Sequence, residues 1–372
     1  MLKIGITGSN GFIGWHLKNR LKIYSDKYEI YLLKREFFNN KFYLDDFTNK
    51  CDIIVHLACI NRHIDDEYLY NKNLELTTNL INSLVRTKFS GLLLFSSSIH
   101  EYNENVFGNS KKESSLLFEK WALQSNAKYI SLIIPNVFGP FGVPFYNSVI
   151  STFCHQIINN EKPIVNNDSL LKLIYIDDLI SIIITKFSFD KKIIIFEVPH
   201  TNISNVSELL YIFNNFKSSY VDKYEIPLLS NEFELNLFNT FRSYIVNFEH
   251  FPVNYLNNLD NRGNFVEIIK EKIGGQVSFS TTKPGIIRGN HFHTRKIERF
   301  SVIKGSAIIK LRKVGTNIVH SFFLSEDEPS FVDIPLWHVH NIENVGSQDL
   351  FTIFWINEFY NPIDSDTYYE NV

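Results

Sequence analysis

Three histidines and one glutamate recur at intervals suited to holding a divalent cation. Residues Gly285 to Gly305 read GIIRGNHFHTRKIERFSVIKG. His291 and His293 are two apart, and in a strand such residues share a face, because side chains alternate with period two. Glu298 follows after four intervening residues, where a neighbouring strand would bring a carboxylate to the same point. Pro335-Leu-Trp-His-Val-His340 then offers a third imidazole. Three neutral imidazoles and a carboxylate, with open coordination positions, suit zinc or another divalent metal acting as a Lewis acid. The plainer alternative is a set of core or surface histidines without a metal.

A second chemistry is written at the N-terminus. Lys3-Ile-Gly-Ile-Thr7 reads as a short buried strand running into Gly8-Ser-Asn10-Gly11-Phe12-Ile13-Gly14, and an amphipathic helix follows through Leu17 and Leu21. Strand, glycine-rich turn and helix together form a dinucleotide site. The glycines permit a tight turn and close backbone approach, and the helix N-terminus offers free amides to a pyrophosphate. The next strand, Ile30 to Leu33, ends in Lys34-Arg35, where an acid would favour NAD. Two cations there suit the 2′-phosphate of NADP instead, although Glu36 sits beside them and a solvated basic loop is the ordinary alternative.

These residues need two kinds of scaffold. A chain of 372 residues normally makes two domains, and 44% hydrophobic with 15% aromatic residues is ample for packed cores. A net charge of -3 gives no general pull toward nucleic acid or an anionic membrane. No apolar run reaches spanning length and the N-terminus lacks a signal-peptide plan; the three scattered cysteines, Cys51, Cys59 and Cys154, fit thiols in a reducing cytosol. The expected location is cytoplasmic. The N-terminal part alternates strands and helices, with strands at Ile53–Ala58, Leu92–Phe95 and Ile193–Val198 and helices after Asn73, Asn147 and Tyr175 and at Val206–Phe216. From Val277 onward short strands dominate, at Val277–Thr281, Arg299–Ile303, Ala307–Leu311, Ser321–Leu324, Phe331–Ile334 and Leu350–Ile356, which predicts a sandwich or barrel. The pattern weakens around Phe241–Asn254, so the predicted division is 1–245, a nucleotide-binding α/β domain, and 246–372, an all-β metal-binding domain.

The GxxGxxG form after Thr7 resembles the extended short-chain dehydrogenase/reductases, whose Rossmann-type domain acts on nucleotide sugars. The paired histidine motifs resemble the cupins, small jelly rolls, with Trp337 standing where the second cupin motif usually has Gly, so the site is expected to be re-shaped there. The first resemblance implies that Leu57-Ala58 lies beside the adenine ribose and that Asn73 is functional, with a helix cap as its simpler role. It implies that Ser98, the last of Ser96-Ser97-Ser98, hydrogen-bonds the reacting carbonyl, and that the segment with Pro135-Asn136 and the helix opened by Asn147 reach nicotinamide and substrate. The usual partner of Ser98 is Tyr-x-x-x-Lys, in which the cation lowers the phenol pKa so that the hydroxyl trades a proton as hydride moves. Here the stretch reads Phe107-Gly-Asn-Ser-Lys111. The lysine is present and the phenol is absent. An engineered substitution, a natural loss of reduction, or rescue by water or Tyr102 would each account for it.

An extended reductase followed by a cupin, with Ser96-Ser-Ser-Ile99, Pro135-Asn-Val-Phe-Gly139, Tyr146-Asn-Ser-Val-Ile150, Pro284-Gly-Ile286 and Trp355-Ile-Asn-Glu-Phe359, resembles over nearly its full length a family of bifunctional capsular-polysaccharide enzymes. That resemblance implies a homodimer acting on a UDP-2-acetamido-2,6-dideoxy-4-hexulose on the way to UDP-N-acetyl-L-fucosamine. The cupin would invert carbon 3, and the reductase would reduce the carbon-4 ketone with NADPH. Related dTDP-sugar epimerases share the look of Arg288-Gly-Asn-His291 and use that His as a base without metal; His293, Glu298 and His340 point to metal here. Lys283, His338 and the tyrosines are candidates for the acid and base of inversion, Lys283 as a substrate contact. The rival from another class is a non-catalytic nucleotide-binding scaffold with a structural zinc.

Overall fold

The computed structural model describes residues 1–245, 250–255, 257–260, 263–266, 268–269 and 274–372. The predicted start of the second domain, 246, lies outside the described residues. The chain divides into two compact units, one of Met1–Thr152 with Val165–Val206, the other of Phe153–Ile164 with Ser207–Val372.

In the first unit the chain runs β1 (Leu2–Thr7), α1 (Phe12–Ile23), β2 (Tyr28–Leu33), α2 (Lys41–Lys50), β3 (Ile53–His56), α3 (Asp66–Arg86), β4 (Leu92–Ser98), α4 (Val106–Leu123), β5 (Lys128–Ile134) and β6 (Asn136–Phe138). There follow α5 (Val149–Ile158, of which the part from Phe153 on belongs to the second unit), β7 (Leu170–Tyr175), α6 (Ile176–Thr185), β8 (Ile193–Glu197) and β9 (Asn202–Asn205). Six parallel strands lie in the order β2-β1-β3-β4-β5-β8. The inner strands β3, β4 and β5 are largely apolar and buried because helices cover both faces of such a sheet; Leu93 and Leu94 are fully buried. Strand order reverses at β1/β3, and in sheets of this kind the ligand crevice opens at the carboxyl ends of the strands there. The fold is the expected Rossmann-type α/β domain.

The helices start where polar caps direct them. Asn40 opens α2, Asp65 opens α3, and Asn105 opens α4 through Gly108 N at 2.8 Å. Asn73 is therefore not a helix cap. It lies within α3, where its amide accepts from Ile60 N (2.7 Å) and donates to Ile60 O (2.9 Å) and Ser110 Oγ (3.1 Å), bracing the loop after β3 against α4. The helix after Asn147 begins at Val149, with Ser148 Oγ accepting from Ser151 N.

The second unit holds α7 (Val206–Phe216, from Ser207 on), α8 (Glu232–Arg242) and the strands β10 (Val253–Asn254), β11 (Asn257–Asp260), β12 (Gly263–Val266), β13 (Gln276–Thr282), β14 (Ile287–Phe292), β15 (Glu298–Lys304), β16 (Ser306–Lys313), β17 (Val319–Ser325), β18 (Ser330–Ile334), β19 (His338–Asn344), β20 (Leu350–Ile356) and β21 (Tyr368–Tyr369). Every strand predicted from Val277 onward falls within one of these. Two antiparallel sheets, β10-β18-β15-β20-β13 and β17-β16-β19-β14-β21, sandwich a core that includes Val302, Ile309, Leu311, Leu324, Val332 and Ile342. This is the all-β domain expected from the alternating pattern. On β15 and β18, Arg299 and Asp333 face each other as a buried bidentate pair at 2.7 and 3.0 Å, with Tyr220 Oη donating to the same carboxylate.

Candidate active sites

At the tip of β1, Gly8 takes φ +70°, and a Cβ on it would lie 2.8 Å from Ala58 N. A Cβ on Gly14 would lie 2.2 Å from Gly8 O, so only glycine lets α1 close on the turn. Gly11 caps α1 without any side chain, leaving its first-turn amides to a ligand. Thr7 works sideways rather than outward: its hydroxyl accepts from Leu57 N and Ala58 N, each at 3.2 Å, and bonds His56 Nδ1 at 2.7 Å. That bond ties β1 to β3 at the switch point. Nothing in the sequence singles out His56; burial first, then the charge of Lys111, pushes its pKa down to about 3. Asn10 and Gly11 are exposed at the mouth, Phe12, Ile13, Leu57 and Ala58 are half-buried, and Lys34 and Arg35 are exposed at the end of β2, beside β1.

Beyond β4, Ser98 is half-buried and its Oγ accepts from His100 N at 3.2 Å. Lys111 is buried, donates to Ser96 O at 2.8 Å, and lies 4.9 Å from the Phe95 ring and 5.8 Å from the Phe107 ring. Phe107, four residues before Lys111 on α4, thus has the cation beside its ring. Tyr102, the alternative acid, has its hydroxyl donating to Glu197 Oε1 at 2.5 Å, and that bond pushes its pKa up to about 12. Asn136 Nδ2 donates to Lys172 O at 3.2 Å, and Asn147 is exposed ahead of α5.

In the sandwich, His291 on β14 stands opposite His340 on β19, and His293 follows at the end of β14. Glu298 enters from β15 of the other sheet. One donor atom from each of the four lies within 4.8 Å of all the others. Glu298 Oε2 accepts from His293 Nε2 at 2.9 Å and lies 3.2 Å from His340 Nε2, which is buried without a hydrogen bond. Burial opposes the charge on Glu298, but the bond from His293 and the nearby His340 imidazole outweigh it and hold the carboxyl well below its usual range. Burial, reinforced by His340 and His293, pushes His291 down to about 3. An orphaned buried imidazole nitrogen, a second imidazole held neutral and an ionised carboxylate around one point are a donor set that fits a divalent cation.

Asp366, missed in the sequence, holds this arrangement. Its carbonyl oxygen bonds His293 Nδ1 at 2.5 Å, directing Nε2 inward, while its carboxylate accepts from the amides of Thr294, Arg295 and Lys296, each at 3.0 Å, and from Thr294 Oγ1 at 2.7 Å. Trp337 adopts φ +57°, the left-handed backbone that glycine takes freely, and its ring stacks on Phe292 at 5.5 Å. The re-shaping expected there falls on the backbone and on that packing. Lys283 is exposed in the turn before β14, where Ile286 N donates to its carbonyl. His338 is buried, bonds Leu336 O through Nδ1, and is pushed down to about 4, by burial first.

A Rossmann-type nucleotide domain and a β-sandwich bearing a histidine–glutamate cluster define a two-domain enzyme. Residues 4–194 match the model of the NAD dependent epimerase/dehydratase family, and residues 258–368 match that of the polysaccharide biosynthesis C-terminal domain. The chain is 30% identical over 373 aligned residues, 99% of its length and 98% of the relative's, to a UDP-2-acetamido-2,6-beta-L-arabino-hexul-4-ose reductase of Pseudomonas aeruginosa. It is similar to the crystal structure of the capsular polysaccharide assembling protein CapF from Staphylococcus aureus, with 34% identity, all of both chains covered and a TM-score of 0.63. The UDP-glucose 4-epimerase of Thermotoga maritima shares the fold over 66% of this chain and 98% of its own, with 16% identity and a TM-score of 0.55. The chain belongs to the NAD dependent epimerase/dehydratase family and, within it, to the two-domain family of CapF. Its cofactor is accordingly a nicotinamide dinucleotide. Among the described residues no helix is long and apolar enough to cross a membrane.

Proposed function

We propose that the chain is a bifunctional UDP-sugar enzyme of capsule or O-antigen synthesis, on the route to UDP-N-acetyl-L-fucosamine. Its substrate is a UDP-2-acetamido-2,6-dideoxy-4-hexulose, with carbon 3 inverted in the sandwich and the carbon-4 ketone reduced in the α/β domain. The relative named as a hexul-4-ose reductase and the likeness to CapF support the substrate class. The proposed boundary at 245/246 falls between the two family matches, which stop at 194 and begin at 258. The family resemblance also supports a homodimer.

The convergence of four donors within 4.8 Å carries the epimerase assignment. His291, His293, Glu298 and His340 would hold the cation, zinc by donor type, and a cation there would supply Lewis-acid polarisation of the ketone oxygen, making the neighbouring C–H acidic. The chain's part is to keep His293 oriented through Asp366 and Glu298 ionised. His291 is only half-buried, so the cluster is not sealed as a purely structural zinc would be. Lys283, His338 and the tyrosines remain the candidates for the acid and base.

In the reductase, the turn Thr7–Gly14 takes the pyrophosphate, Leu57 and Ala58 flank the adenine ribose, and Lys34 with Arg35 selects NADPH. Lys111 orients the cofactor ribose, Ser98 bonds the ketone oxygen, and Asn136 and Asn147 contact the substrate. Phe107 supplies no proton, so reduction is slow, by a factor on the order of 10²–10⁴ for a missing general acid. Metal analysis combined with product analysis by NMR tests the whole reading. The account requires zinc in about one equivalent per chain, a C3-inverted ketone without NADPH, and the reduced sugar with it. Unchanged ketosugar under both conditions would refute it.

A further inference from the structure

The missing phenol leaves a question that the surroundings of Phe107 answer. The first turn of α4 packs against the segment that follows Ser98, and the approach is close: a Cβ on Gly108 would lie 1.8 Å from His100 O. Glycine at 108 is what lets Phe107 and His100 stand side by side, their rings edge to face with centroids 6.2 Å apart. The backbone of His100 is pinned from the other side by its N–H bond to Ser98 Oγ at 3.2 Å. The side-chain amide of Asn103 meets His100 Nδ1 at 3.2 Å, which holds the ring in place and leaves Nε2 for the substrate side. His100 is thus a half-buried, oriented imidazole two residues after the serine assigned to the ketone and against the ring that replaces the acid.

We propose that His100 is the general acid of the reductase, donating its Nε2 proton to the carbon-4 oxygen in place of the phenol hydroxyl that Phe107 lacks. The inference rests on the reductase reading above. NADPH supplies the hydride to carbon 4. The C=O π bond becomes the O–H bond as the imidazolium gives up its proton, and the imidazole left neutral is reprotonated from solvent. Charge and atoms balance: ketone, NADPH and one proton give alcohol and NADP⁺. Burial lowers the pKa of His100 from its ordinary value of 6.5, which makes the imidazolium a readier donor and keeps it a minority species at neutral pH.

The test uses the full chain with NADPH and the UDP-4-ketosugar, following NADPH oxidation in the wild type, His100→Gln, Phe107→Tyr and the double variant. His100→Gln is expected to lower kcat at least about tenfold with KM within about threefold, while NADPH binding followed by fluorescence is retained. The double variant, with the phenol restored, is expected to regain at least wild-type turnover, which also shows that the glutamine does not unfold the site. A His100→Gln rate within about twofold of wild type would overturn the proposal, as would a wild type that fails to reduce while Phe107→Tyr succeeds. In that last case the reductase reading stands and only His100 falls; if none of the four oxidises NADPH, the reductase reading itself is refuted.

Discussion

His291 and His340 face each other directly across two paired strands, their ring centroids 4.4 Å apart. Neither residue could be placed there by its own strand alone. Gly289 (φ +103°) and Asn290 (φ +58°) interrupt the β14–β19 register just before His291, and the bulge delivers the imidazole to the inner side. Glu298 then meets the pair from the opposite sheet, so the cluster exists only when the sandwich is closed.

Asp366 is the residue that most directly tests this dependence. Asp366→Ala removes the carboxylate that fixes the Thr294–Lys296 amides, and with it the placement of the carbonyl on His293. Zinc affinity, measured by competition with a chelator, is expected to fall about 10–100-fold while far-UV circular dichroism is retained. An unchanged affinity would show that His293 holds its orientation without this support.

His56 predicts a pH dependence of stability. Its folded pKa, about 3, lies below the ordinary 6.5 because of burial and then Lys111. Below about pH 6.5 the unfolded chain therefore binds a proton that the folded chain refuses, and stability falls as pH drops toward the folded value. The slope contributed is at most about 1.4 kcal/mol per pH unit. Urea unfolding at pH 7 and pH 5 should show a smaller loss in His56→Asn than in the wild type; equal losses would remove His56 from the account.

The pair Arg299–Asp333 is 2% exposed at each side chain, and Arg299 also stacks over the Phe331 ring at 3.7 Å. Arg299→Met alone leaves the Asp333 carboxylate buried without a countercharge, with the Tyr220 hydroxyl still donating to it, and is expected to cost about 3–5 kcal/mol in denaturant unfolding of the sandwich unit. Arg299→Met with Asp333→Leu should recover much of that loss. A double variant as unstable as the single one would mean that the pair is needed for packing and not only for charge balance.

How far the sequence reveals all this depends on whether the signal is periodic or positional. The apolar runs of β3, β4 and β5 and the glycines of the first turn are legible because burial on both faces and close backbone approach each restrict residue type over several positions. The four metal-type residues are legible because strand periodicity and two short motifs carry them. Asp366 is not: its partners are mainly backbone amides some seventy positions away, and a backbone amide leaves no trace in residue type. The simpler role for Asn73, a helix cap, fails for a related reason. Asp65 already caps α3, and the apolar periodicity around Asn73 does not reveal that the helix begins a further two turns upstream. His56 reads as an interruption in an apolar strand, and only the position of Thr7 Oγ1 shows what it binds.

The central claim is that the cluster of His291, His293, Glu298 and His340 holds a cation that makes the hydrogen on carbon 3 of a 4-ketosugar exchangeable. Incubating the zinc-loaded protein with the UDP-4-ketosugar in deuterium oxide, without NADPH, and reading the sugar by NMR tests it most directly. Deuterium at carbon 3, lost in His340→Ala, is the predicted result; a sugar recovered with full protium at carbon 3 from zinc-replete protein would contradict the claim.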